Sequence, residues 1–388
     1  MKISFITPFF PYRGGISKHS ENLYLSFNNN HEIKIINFIR QYPDLLFPGK
    51  TQYVTENQDD SNYSNSIRIL DTLNPITWYK TAKKINEYNS DILILRYWHP
   101  FFIMAYLGVL FFLKRKNKNI KTLAICDNVI SHQSFYLENK LVNIFLHKID
   151  KVLVMSNNTE NELLNIYSNA NYKKLFLPII DNQPNVLNQN DCLNKLSLNN
   201  NKLTLLFFGL IREYKGLDLL IESFSYLEPD ILKKIQLLIV GECYENNNKY
   251  YNLIKKYNLE NNIKWIEEYV PDNMINLYFS CADFVVIPYR SASQSGIIPM
   301  AYNYNKPVIV SSAINDNQFS NNKTGIMFNN GNVLELSKVI KNIFNDFINS
   351  KGTLNSKSYQ NYINNINIIK TKFSTDNFTN QLIEFINE

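Results

Sequence analysis

Short apolar runs alternate with longer helical stretches from one end of this chain to the other, and that alternation restricts the fold more than any single residue. The strand-like runs of the first half are residues 3–8, 32–39, 91–97, 122–128, 151–156 and 174–179, with helical stretches between them, among them 17–27 and 135–148. The pattern restarts at Leu203, with strands expected at 203–208, 236–241, 263–269, 284–288, 308–311 and 325–328 and helices at 217–227, 250–258, 274–281 and 298–304. From Val333 onward the chain reads as helix to its end. Strands that are apolar on both faces and separated by helices predict parallel sheets built from βαβ units. The polar stretch 181–202, rich in Asn and Gln, reads as the linker, and 388 residues suffice for two cores of ordinary size.

The most informative segment is Phe207-Phe208-Gly209-Leu210-Ile211-Arg212-Glu213-Tyr214-Lys215-Gly216. An apolar strand ends in Gly209, a short loop supplies Arg212 and Lys215, and a helix is expected from Gly216. The end of a strand that opens onto a helix N-terminus is where open α/β sheets bind ligands. Backbone N–H groups and the helix dipole favour an anion there, and two side-chain cations add to that preference. The physical reading is a diphosphate site. A solvated loop that happens to carry charge would read the same in isolation.

The wider pattern resembles the retaining glycosyltransferases of family four. The segment above is similar to that family's phosphate loop. Residues 3–8, followed by Pro11-Tyr12-Arg13-Gly14-Gly15-Ile16, resemble its first strand and glycine-rich turn, and Gln41-Tyr42-Pro43 with Phe47-Pro48-Gly49-Lys50 resembles a signature of one bacterial branch. Pro288-Tyr289-Arg290 through Ser295-Gly296, leading to Lys306-Pro307-Val308-Ile309, resembles the donor-binding segment. The matches run in the right order over almost the whole chain. The resemblance implies two Rossmann-like domains facing a central cleft, the GT-B fold. It places an acceptor domain at 1–185, a nucleotide-sugar donor domain at 186–372 and a helix at 373–388 that crosses back to the N-terminal domain.

On the donor side the resemblance puts Arg212 and Lys215 on the diphosphate, with the Ser295 and Gly296 amides beside it and Gly209 and Gly241 leaving room at strand ends. It puts the base near Tyr269 and Val270, positions that ordinary strand-end packing would fill equally well. The sequence departs from the family at a pair of glutamates separated by seven residues. Anchored on Pro307 these positions are Ala292 and Met300; anchored on Pro299 they are Gln294 and Tyr302. Gln294 is the candidate replacement. On the acceptor side, Arg13, Gly14 and Gly15 form a turn expected to face the cleft. His19, His99 and His132 lie near strand ends or turns, and Asp127 and His132 sit where the family places a catalytic polar group.

Other chemistries find little support. There is no Asp-x-Asp, no G-x-x-x-x-G-K-[ST] and no G-x-S-x-G, so no metal or cofactor is expected and neither a P-loop nor an α/β-hydrolase is indicated. Cys126, Cys192, Cys243 and Cys281 are scattered, which suits reduced thiols in a cytoplasmic protein. A net charge of +6 without stacking platforms argues against nucleic acid. Residues 101–113 are continuously apolar and Lys114, Arg115, Lys116 and Lys118 follow. The run is short of the ~20 residues that span a bilayer. It fits a buried helix with a polar end, a helix at the headgroup level, or both at once. The expected activity is transfer of a sugar from a nucleotide diphosphate sugar to a glycan or lipid-linked acceptor in cell-surface polysaccharide synthesis, with segment 101–118 touching the inner face of the membrane. The alternatives are a nucleotide-sugar epimerase of the same fold and a non-catalytic binding relative.

Overall fold

The structure, a computed structural model, describes residues 1–43, 51–54, 66–130, 137–180, 186–292, 295–314, 316–349 and 357–388. These fall into two compact units, Met1–Phe176 with Thr375–Glu388, and Leu177–Ser374.

The first unit carries strands β1 (Lys2–Ile6), β2 (Glu32–Arg40), β3 (Ser66–Asp71), β4 (Ile92–Tyr97), β5 (Lys121–Cys126), β6 (Lys151–Val154) and β7 (Tyr172–Lys174). Its helices are α1 (Gly15–Asn28), α2 (Pro75–Tyr88), α3 (Ile103–Lys116), α4 (Glu138–Leu146) and α5 (Asn157–Ile166). In the second unit are β8 (Leu203–Phe208), β9 (Ile235–Val240), β10 (Ile263–Ile266), β11 (Phe284–Ile287), β12 (Val308–Ser311) and β13 (Gly325–Phe328). Its helices are α6 (Gln189–Lys195), α7 (Leu217–Phe224), α8 (Pro229–Leu232), α9 (Asn248–Lys256), α10 (Ile275–Cys281), α11 (Ile297–Asn303), α12 (Val333–Asn349) and α13 (Lys357–Lys372). The last helix, α14 (Thr375–Asn387), belongs to the first unit, where Phe378 sits edge-on to His19 and Phe176.

Both sheets are parallel throughout, in the orders β3-β2-β1-β4-β5-β6-β7 and β10-β9-β8-β11-β12-β13. The chain of each sheet runs outward from its first strand one way and then the other. The direction reverses between β1 and β4 and between β8 and β11, and such switch points open a crevice at the strand C-termini. Every residue of β4, β8 and β9 is buried, as strands covered by helices on both faces require.

Three expectations change. The expected strand at 174–179 does not form: β7 ends at Lys174, and Ile179 instead bridges Ser374 within the second unit. β3 was not read from the sequence, because this edge strand buries only Leu70 fully and pairs with β2 through register shifts. The expected linker at 181–202 contains a packed helix: Asn188 caps α6 by accepting from the N–H groups of Asn190 and Asp191, and Cys192 and Leu193 are buried.

A candidate nucleotide-diphosphate site and a buried ion pair

In the second unit the loops after β8 and β11 flank the switch point, and they hold the cations singled out in the sequence. Arg212 opens a single 3-10 turn, Glu213–Lys215, and Gly216 closes it in the left-handed region at φ 66° before α7 begins. A side chain on Gly216 would meet the Pro288 carbonyl at 2.1 Å, so only glycine lets the two loops lie together. Arg290 fastens them. Its Nη1 and Nη2 donate to the two Asp218 carboxylate oxygens at 2.7 and 2.6 Å, Nη1 also donates to the Glu213 carbonyl, and its backbone N–H donates to the Tyr214 carbonyl at 2.6 Å. Burial pushes the Asp218 carboxyl up, but the hydrogen bonds and charge of Arg290 outweigh it and hold it below its ordinary value. Arg290 therefore spends its charge inside the protein.

Arg212 and Lys215 do not. Among the described residues neither side chain has a carboxylate or a hydrogen-bond partner. Arg212 is exposed, whereas Lys215 is only 8% exposed. Burial, then the neighbouring Arg212 charge, pushes the Lys215 ammonium down to about 8. The sequence places Lys215 in a short loop; the structure buries it there, since the 3-10 turn swings it inward until a side chain on Gly209 would stand 3.2 Å from its Nζ.

The glycines divide. Gly209 is the close neighbour of Lys215. Gly241, expected to leave room for a ligand, does not: a side chain there would meet the Gly209 carbonyl at 2.0 Å, so the space is filled by backbone. Ser295 is buried and Gly296 exposed, directly before α11. Tyr269 and Val270 are half-buried beyond the end of β10. Gln294 and His132 lie outside the described residues, as does the segment from Phe47 to Lys50.

Residues 188–366 match the family described as Glycosyl transferases group 1. The chain carries a group 1 glycosyltransferase domain. No curated protein matches the sequence. Among solved structures, a glycosyltransferase from Rickettsia africae is 19% identical, with a TM-score of 0.74 over 99% of this chain and 97% of that one. Anabaena HepE in complex with UDP and glucose is 14% identical, at 0.74 over 100% and 99%. Sucrose-phosphate synthase from Thermosynechococcus elongatus is 15% identical, at 0.73 over 100% and 98%. The fold is GT-B and the protein is a glycosyltransferase.

In the first unit of this glycosyltransferase, Gly14 (φ 108°) and Gly15 open α1; both are exposed, and a side chain at either would meet nothing within 4 Å. Half-buried Arg13 is tied through its backbone N–H to the Gln52 carbonyl at 3.0 Å. Asp127 follows β5 and is buried against Arg96, which the sequence reading passed over. The Arg96 Nε donates to Asp127 Oδ2 at 2.6 Å and its Nη2 donates to Oδ1; Nη2 also donates to Nδ1 of buried His19 at 2.8 Å. Burial, then the Arg96 charge, keeps His19 neutral by holding its pKa well below the usual imidazole value. His99 caps a 3-10 turn by accepting from the Phe101 N–H at 3.1 Å. Arg96, Asp127 and His19 hold the C-terminal ends of β4 and β5 and the start of α1 in place.

Proposed function

We propose that the enzyme transfers a sugar from a nucleoside diphosphate sugar to a hydroxyl of a glycan or lipid-linked acceptor, with retention of configuration. The observation that carries this reading is the pair Arg212 and Lys215, two cations without a carboxylate partner among the described residues, in the loop that leaves β8 at a switch point. Relatives of the fold support the donor class, since HepE was solved with UDP and glucose. In the proposed reaction the bond from the anomeric carbon to the diphosphate oxygen breaks while the acceptor oxygen bonds to the same face. The acceptor proton passes to the leaving diphosphate, whose growing charge Arg212 and Lys215 meet. Gly14 and Gly15, an open turn, suit the acceptor. Among the described residues no group of His, Cys, Asp or Glu is arranged to hold a metal ion.

The test is sugar transfer and nucleotide release from a panel of UDP-, GDP- and ADP-sugars with lipid-linked acceptors, run with and without EDTA. Acceptor-dependent transfer that persists in EDTA is expected. Free sugar released without acceptor would favour an epimerase, nucleotide binding without turnover a non-catalytic relative, and loss of activity restored by magnesium a metal-assisted mechanism.

We further propose that α2 and α3 rest on the inner face of the cell membrane. Among the described residues no helix is long and apolar enough to cross a membrane. Six residues of α3 are core, including Tyr106, Val109 and Leu113, yet Met104 and Phe111 of α3 and Ile76 and Tyr79 of α2 are exposed. Of the four cations after the apolar run, Lys114 is tied to the Lys148 carbonyl, while Arg115, Lys116 and Lys118 are exposed. Exchanging these three for Gln should release the protein from anionic vesicles at low salt, because each contributes ~1 kcal/mol at such a surface. Equal sedimentation of the variant would leave α3 as a core helix only.

A further inference from the structure

Arg212 and Lys215, without a carboxylate partner among the described residues, are each seated on an aromatic ring. The guanidinium carbon of Arg212 stands 5.3 Å from the centre of Tyr244, and Nζ of Lys215 stands 5.6 Å from the centre of Tyr289. Both distances lie within the ~6 Å over which a ring face attracts a cation. Sheet order explains how the rings arrive. In β9-β8-β11 the cation-bearing loop leaves the middle strand, and the outer two supply one tyrosine each from their own C-terminal loops.

Both rings are themselves held. The Tyr244 N–H donates to the Ile211 carbonyl at 3.1 Å, and Ile211 bridges Cys243, so the pairing of β8 with β9 continues past the strand ends up to the ring. Tyr289 is 4% exposed, its carbonyl accepts from the Ser311 hydroxyl, and the Tyr214 ring meets it edge-on at 5.9 Å.

We propose that Tyr244 and Tyr289 are the positioning residues of the diphosphate site, each fixing one cation by its ring face and leaving that cation's charge unneutralised. This rests on the reading of Arg212 and Lys215 as diphosphate ligands. A carboxylate would fix the same side chains but compete with the phosphate for them, as Asp218 does for Arg290. A ring carries no net charge, so the cation stays available, and for buried Lys215 the ring also offsets part of the cost of an ammonium without an anion.

The experiment is calorimetric titration with UDP, GDP, ADP and inorganic diphosphate, applied to Phe and Leu variants at Tyr244 and Tyr289, to R212A and K215A, and to the doubles Y244L/R212A and Y289L/K215A. Phenylalanine keeps the ring and should preserve affinity. Leucine should weaken binding by roughly tenfold where the cation is desolvated and less at exposed Arg212. In the doubles leucine should cost nothing further, because the cation it positions is gone. Leucine variants that bind like the phenylalanine ones, or a leucine cost that persists in the alanine backgrounds, would overturn the inference. Wild-type protein that binds none of the four ligands, or R212A and K215A that bind as wild type, would instead overturn the diphosphate reading beneath it. Should Y289L fail to fold, Tyr244, half-buried and in a separate loop, decides the question alone.

Discussion

Alanine at Arg212 or Lys215 is expected to lower sugar transfer by roughly 10²-fold, the scale on which losing one charge-stabilising donor acts in a water-poor site. The two variants should differ in stability. Arg212 is exposed and its removal should leave the unfolding midpoint unchanged. Lys215 is buried without a carboxylate partner among the described residues, so its alanine variant should be at least as stable as wild type when empty, yet gain less protection from UDP. The Lys215 pKa falls from 10.5 in the unfolded chain to about 8 in the empty protein. Between these values the unfolded chain holds the extra proton, so this group makes the empty protein more stable as pH rises through the window. Affinity for a diphosphate should fall over the same window, since the cation it needs is lost, and binding there should take up a proton. Thermal unfolding and titration from pH 7 to 10 would show the two trends running in opposite directions. Affinity that stays flat across pH 8 to 10 would remove Lys215 from the site.

How much of this was legible in the sequence varies by element. β8 and the pair Arg212 and Lys215 stood out because a parallel strand covered on both faces reads as an unbroken apolar run, and the loop at its C-terminal end opens onto the crevice of the switch point. The depth of Lys215 did not, since it depends on Gly209, Gly216 and Tyr289, which only folding brings together. The same holds for Gly241, a glycine spent on backbone contact with Gly209 rather than on a ligand. α6 was hidden by its polar composition, although Asn188 at its start is an ordinary capping signal. The pairing of Arg290 with Asp218 joins two segments that no local pattern connects. Arg96 was the missed opportunity: one charge in Ile92-Leu93-Ile94-Leu95-Arg96-Tyr97 demands a buried partner, and Asp127 at the end of the neighbouring strand was already under suspicion for another reason.

That partner relation yields the last prediction. Arg96→Met should destabilise the first unit by about 3–5 kcal/mol, because it strands the Asp127 carboxylate in a buried site. Asp127→Asn should also destabilise, leaving the guanidinium without its counter-charge, while a double exchange to apolar residues of similar volume should recover much of the loss, since a buried pair is worth little over good packing. Denaturant unfolding of the three variants measures this directly. The alternative reading of Asp127, as a group acting on the acceptor, predicts another pattern: Asp127→Asn would abolish transfer with its unfolding midpoint and UDP affinity intact. The structure favours the first outcome, because both carboxylate oxygens of Asp127 already accept from Arg96, and Arg96 also holds His19 on the helix behind the Gly14–Gly15 turn. The pair thus acts on the candidate acceptor turn only by fixing α1 against β4. Its loss should raise KM for the acceptor through a misplaced turn, in proportion to the lost stability, before it touches the chemistry of transfer.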